Sequence, residues 1–115
     1  MAYRALMVLR MDPDDAEHVA AAFAEHDETS LPTEIGVKRR VLFRFHGLYM
    51  HLIEADDDIM ERLYQARSNP LFQQVNERVG EYLTPYSPRW EELKDSKAEV
   101  FYTWAAPDSW PSAVH

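Results

Sequence analysis

Cysteine is absent from this 115-residue chain, and glycine occurs only three times. The first absence excludes disulfides, Cys-ligated zinc and thiol catalysis, and it fits a cytoplasmic protein. The second leaves no phosphate-cradling loop and no dinucleotide fingerprint. No apolar run is long enough to span a bilayer, and the first ten residues combine a short apolar stretch with strand character, so neither a membrane span nor a signal peptide is expected. Cationic side chains are scarce: 12 Lys and Arg stand against 20 Asp and Glu, for a net charge of -8. That balance argues against a nucleic-acid partner and against an anionic membrane. The histidines, His18, His26, His46, His51 and His115, show neither HxH nor HExxH spacing, so no metal site is expected. No serine sits in a Gly-x-Ser-x-Gly elbow.

The most informative segment present is 37–55, two strands joined by a tight turn at His46-Gly47. Pairing Phe45 with Leu48 puts Val41, Phe43, Phe45, Leu48, Met50 and Leu52 on one wholly apolar face. Arg40, Leu42, Arg44, Tyr49, His51 and Ile53 fall on the other. A merely solvated face would be more uniformly polar. A mixture of cationic, phenolic, imidazole and apolar groups suits a cleft for an aromatic or polyoxygenated ligand.

Around this hairpin the pattern predicts a β-α-β-β-α-α-β order. Residues 3–10 form a central strand with both faces apolar. Asp12 caps a helix that carries Pro13 in its first turn, and Ala16, Val19, Ala20 and Phe23 follow at the spacing of a buried stripe. This helix should end near Glu28, before a Ser30-Leu31-Pro32 loop. Asp56–Asp58 precede a helix with Ile59, Leu63 and Ala66. Ser68-Asn69-Pro70 starts another that buries Phe72, Val75, Val79 and Leu83. A charged, proline-rich loop spans 84–96, and a last strand is expected from Ala98 to Ala105. The fold class is α+β, a split βαβ with one four-stranded antiparallel sheet and helices on a single face. The helices are expected on the apolar face. The mixed face would then be bare, serving as a cleft wall or meeting a second subunit.

Four polar groups converge at one end of this arrangement: His26, Asp27, Arg40 and His51. Histidine moves protons near neutral pH, arginine stabilises a developing enolate or phenolate, and Asp27 would orient or charge an imidazole. The helix macrodipole alone would also favour His26 at a helix C-terminus, and Asp27 there can equally be a solvated loop residue. Arg44 and Tyr49 are cross-strand neighbours, suited to a cation–π pair or to ligand contact. Arg67 stands within reach of a ligand at a helix end, where such charges are ordinarily solvated. Leu42, Ile53 and Phe101 are candidate apolar walls.

The stretches Met1-Ala-Tyr-Arg-Ala-Leu-Met-Val-Leu-Arg-Met-Asp-Pro, Leu42-Phe-Arg-Phe-His, Leu48-Tyr-Met-His-Leu-Ile-Glu and Asn69-Pro-Leu-Phe resemble the small aromatic polyketide cyclases of antibiotic biosynthesis. The resemblance runs over residues 1–108. It implies a ferredoxin-like domain over 1–105 with a flexible tail over 106–115, and a homodimer with an α/β-barrel-like arrangement. It implies a cytoplasmic enzyme without cofactor that acts on a partly cyclised aromatic polyketide, with possible transient contact with polyketide synthase components. The implied reaction is an intramolecular aldol condensation followed by loss of water. It supplies no catalytic residues, so His51, Arg40, His26 and Asp27 stand as catalytic candidates on the spacing argument. Leu42, Arg44, Tyr49, Ile53, Arg67 and Phe101 stand as substrate contacts. Two rivals are a cofactor-free anthrone-type monooxygenase of similar architecture and a non-catalytic polyketide-binding module.

Overall fold

The structure, a computed structural model, describes residues 3–107. Its sheet is four-stranded, in the order β2-β3-β1-β4, with every neighbouring pair antiparallel. β1 is Tyr3–Met11, β2 is Val37–Phe45, β3 is Leu48–Ala55 and β4 is Leu83–Pro85. The helices are α1 (Ala16–His26), α2 (Leu31–Ile35), α3 (Met60–Gln65) and α4 (Pro70–Gly80). Among the described residues no helix is long and apolar enough to cross a membrane.

Local chemistry accounts for most boundaries. Asp12 accepts a hydrogen bond from the Asp14 amide and opens a 3-10 turn at Pro13–Asp15 that runs into α1. Asn69 does the same for α4 through the Leu71 amide, with Pro70 in the first turn. The hairpin turns at His46-Gly47 with Phe45 opposite Leu48, as the sequence predicts. The helix α2 occupies part of the expected 30–32 loop. It ends at Gly36, whose φ of 110° is open to glycine and whose absent Cβ leaves room for Ile59 and Arg62.

Two expectations are corrected. The segment from Ala98 to Ala105 is not a strand: after a single bridge between Met7 and Lys97, the chain leaves the sheet. Val100, Phe101, Tyr102 and Trp104 are exposed, and their alternation finds no partner strand among the described residues. The fourth strand is instead the short β4, whose Leu83 was expected on the last helix and whose Thr84 and Pro85 were expected in the loop. The tail expected to be flexible begins at 106, and residues 108–115 lie outside the described residues.

The second correction concerns the two sheet faces. The helices cover the mixed face, not the apolar one. Ala5, Met7, Met11, Tyr49, His51, Ile53 and Ala55 are buried beneath them. Two apolar clusters make this layer. One joins Val19, Ala22, Val75 and Val79 to Tyr49 and Met11, and the other joins Leu31, Ile35, Ile59 and Leu63 to Ile53 and Ala55. The apolar face with Val41, Phe43, Phe45, Leu48, Met50 and Leu52 is left uncovered in the single chain, and Phe43 and Phe45 are 46% and 58% exposed. On the mixed face, α1 and α4 pack over the sheet and leave space between the layers. The polar groups of the mixed face are partnered in that space, so their burial is tolerated.

Candidate active site

Between sheet and helices lies a cavity of about 530 Å³. Its size suits a ligand of several fused rings. The β1 and β3 residues Met7, Leu9, Tyr49, His51 and Ile53 form its floor, with Val37 and Arg40 from β2. Phe23 and His26 of α1 and Phe72, Val75, Asn76 and Val79 of α4 form the roof, while Arg67, Trp90, Glu91 and Glu92 border it as well.

The polar part of the floor is one hydrogen-bonded line. Asp27 follows α1 directly, and its carboxylate would be unfavourable at a helix C-terminus were it not paired. It accepts from Arg40 Nε at 3.1 and 3.0 Å and from Nη2 at 2.8 Å. The Arg40 side chain is only 12% exposed, so its charge depends on this partner. Nη1 donates to His51 Nε2 at 3.0 Å. His51 Nδ1 is in turn 3.0 Å from the Tyr49 hydroxyl. Phe23 packs on two members of the line, with the Arg40 guanidinium 4.7 Å from its ring centroid and the His51 ring edge-on at 5.0 Å.

Geometry fixes the protonation of His51. Guanidinium has five donors and no acceptor, so the nitrogen facing Arg40 carries a lone pair and no hydrogen. The ring is therefore neutral, with its proton on Nδ1 donated to the Tyr49 oxygen. Burial, and secondarily the Arg40 charge, lowers the His51 pKa to about 3. Its one basic lone pair is thus occupied, which argues against His51 as the group that removes a substrate proton. Burial also lowers the His26 pKa, with Arg40 adding to the effect and Asp27 opposing it. His26 borders the cavity, and neither of its ring nitrogens has a hydrogen-bond partner among the described residues. Burial raises the Tyr49 pKa far above its ordinary value, so its hydroxyl remains protonated.

The sequence candidates separate on this geometry. His26, Arg40, His51, Tyr49, Ile53 and Arg67 border the cavity, and Asp27 anchors Arg40 from behind. Leu42 packs into the apolar cluster around Tyr49 instead of lining the cavity. Arg44 lies opposite Tyr49 in register, but its guanidinium donates to the Pro13 carbonyl at 3.0 Å. Phe101 is 95% exposed and away from the cavity, which follows from the loss of the expected last strand. Trp90, Asn76, Glu91 and Glu92 were not anticipated, because they come from a loop and from a helix flank with no periodic signal. Phe23 was expected only as helix packing.

Residues 3–105 match the family model for polyketide synthesis cyclase. The chain belongs to the polyketide synthesis cyclase family. It is 87% identical over 109 residues to tetracenomycin F2 cyclase of Streptomyces glaucescens, covering 95% of this chain and 100% of that one. An uncharacterised protein of Streptomyces coelicolor is 42% identical over 104 residues, covering 89% and 94%. A solved structure of tetracenomycin F2 cyclase from S. glaucescens, described as a type-II polyketide cyclase, superposes with a TM-score of 0.88 at 87% identity and covers 91% of this chain and 99% of that one. The four-stranded sheet with helices on one face is therefore the fold of a polyketide cyclase.

In this cyclase the His51 arrangement makes stability depend on pH in a defined direction. The folded-state pKa lies below the ordinary imidazole value of about 6.5, so the contribution is complete above that value and is lost as pH falls from there toward about 3. The loss should approach about 1.4 kcal/mol per pH unit within that window. Urea denaturation at stepped pH checks this, and His51→Gln should flatten that part of the acid limb.

Proposed function

We propose that this cyclase closes a late ring of a partly cyclised aromatic polyketide by a cofactor-free intramolecular aldol condensation and loss of water. The observation that carries the reading is the Asp27–Arg40–His51–Tyr49 line along the floor of a largely apolar cavity. Apolar walls hold flat fused rings, and a single polar line selects where an oxygen of the flexible arm comes to rest. The 87% identity to tetracenomycin F2 cyclase supports an antibiotic-pathway substrate of that type.

Poly-β-ketone methylenes are acidic and aromatisation drives the last step, so the enzyme's main task is to choose which carbons meet. Holding the arm in one near-attack geometry can supply roughly 7–11 kcal/mol at best. In the chemical step the His26 imidazole removes a methylene proton as the enolate forms. Arg40 stabilises the enolate oxygen with the two N–H groups that Asp27 and His51 leave free. The enolate carbon bonds to the facing carbonyl carbon, and the resulting alkoxide receives the proton from His26. A second proton leaves the same methylene carbon for His26 and departs with the hydroxyl as water. One C–C double bond and one water result, without change of oxidation state. His51 holds Arg40 and Tyr49 in place and is not the base.

Arg40→Ala should lower kcat/KM by about 10²–10³-fold, the usual cost of losing an oxyanion donor. Its fold should persist, because Asp27 is 39% exposed and can be hydrated once unpaired. Turnover of a candidate polyketide, read by mass spectrometry, should give a product lighter by one water. The rate should fall on the acid side as His26 protonates, with a midpoint below the ordinary imidazole value. An oxygenated product with dioxygen consumed would identify a monooxygenase, and stoichiometric protection without turnover a binding module. A rate independent of pH would mean that the cavity only templates the substrate.

A second copy of the chain is the occupant proposed for the uncovered sheet face. Val41, Phe43, Phe45, Leu48, Met50 and Leu52 there adjoin Leu6 and Val8 of β1, an apolar expanse that water-exposed monomers seldom carry. Light scattering should report a dimer, and Phe43→Glu should shift it to monomer by placing a charge in the apolar contact. A monomeric parent protein would contradict the dimer.

A further inference from the structure

Tyr49 is 2% exposed, borders the cavity and has a hydroxyl whose two hydrogen-bonding functions are separated. The oxygen accepts the proton on His51 Nδ1, for the reason given above: the alternative, with the phenol donating to Nδ1, would set a His51 N–H against the Arg40 N–H. The phenolic hydrogen is therefore left over, and it has no acceptor among the described residues. A buried donor without an acceptor is costly unless a ligand or water completes it. This hydroxyl also stands at the end of a polarised series. Asp27 fixes the Arg40 charge, Arg40 draws electron density from the His51 ring, and the ring N–H in turn draws on the phenol oxygen. Hydrogen bonds in such a series strengthen one another.

We infer that the Tyr49 hydroxyl is a catalytic hydrogen-bond donor to the substrate carbonyl oxygen that becomes the alkoxide when the ring closes. The role rests on the cyclase reading above. It divides the two developing charges between two groups: Arg40 faces the enolate oxygen of the nucleophilic half, and Tyr49 faces the carbonyl oxygen of the electrophilic half. No proton is transferred from Tyr49. The proton that reaches the alkoxide is the one His26 removed from the methylene, and the phenol retains its own, as its raised pKa requires. The substrate class follows. A productive ligand presents a ketone oxygen to the sheet floor, with its fused rings beneath the apolar roof of Phe23 and the α4 side chains.

The test compares the full-length protein with Tyr49→Phe and with a variant carrying 3-fluorotyrosine at position 49, on a partly cyclised polyketide that the parent protein converts. Tyr49→Phe should lower kcat about 10²–10³-fold with KM little changed, because the donor acts in the transition state. The 3-fluorotyrosine variant, which retains an O–H donor, should recover most of that loss. Unchanged kcat in Tyr49→Phe would overturn the role and leave the cyclase reading intact. Where Tyr49→Phe fails to fold, 3-fluorotyrosine and 3,5-difluorotyrosine at this position give the answer. A change in kcat that follows phenol acidity supports the role, and rates equal to the parent overturn it. A parent protein that converts no polyketide would overturn the function, and this role with it.

Discussion

The buried Arg40 guanidinium is the interaction on which the rest of this site depends. A charge held at 12% exposure over a sheet must be partnered or expelled, and Asp27 and His51 partner it from two sides. Each partner is constrained in return. Asp27 is bound to a position beyond α1 that the helix dipole disfavours. His51 is confined to a single neutral tautomer, and through it the Tyr49 oxygen is committed. One cation thus sets the tautomer of His51 and the bonding of the Tyr49 oxygen while keeping two of its own donors free for a ligand. A site built this way changes little during a reaction, which is the condition for electrostatic preorganisation.

The same interaction explains why the sheet faces the way it does. Apolar content alone would bury Val41, Phe43, Phe45, Leu48, Met50 and Leu52 beneath the helices. Yet the helices cover Tyr49 and His51, and the apolar face stays open. Both faces of a cyclase sheet need cover, and the two covers differ in kind. A cover that leaves a cavity requires polar groups arranged for a ligand. A cover made by another copy of the chain requires only matching apolar surface. Charge and imidazole therefore belong to the side with the cavity, and the uniform apolar side is the one for which a second copy is proposed.

Much of this was legible in the residues. The hairpin register follows from His46-Gly47 and the alternation around it, the starts of α1 and α4 follow from Asp12-Pro13 and Asn69-Pro70, and the convergence of His26, Asp27, Arg40 and His51 follows from the topology. What the sequence left open has physical causes. Alternation assigns residues to faces but does not say which face a helix will cover. The pattern at Val100, Tyr102 and Trp104 is that of a strand, yet a strand needs a partner and the described residues supply none. Leu83–Pro85 is too short to leave a periodic signal, and Trp90 reaches the cavity from a loop whose path no local rule fixes. Residue type alone makes His51 a candidate base. Only the distance from Arg40 to Nε2 shows that its lone pair is occupied.

The direct test of the Arg40 clamp is the ring state of His51, read from the 15N shifts of selectively labelled protein across an acid titration. The account predicts a neutral ring protonated on Nδ1, with Nε2 shifted by its bond to the guanidinium, and no titration through the ordinary imidazole range until pH approaches about 3. A ring protonated on Nε2, or one that titrates near the ordinary value of about 6.5, would contradict it.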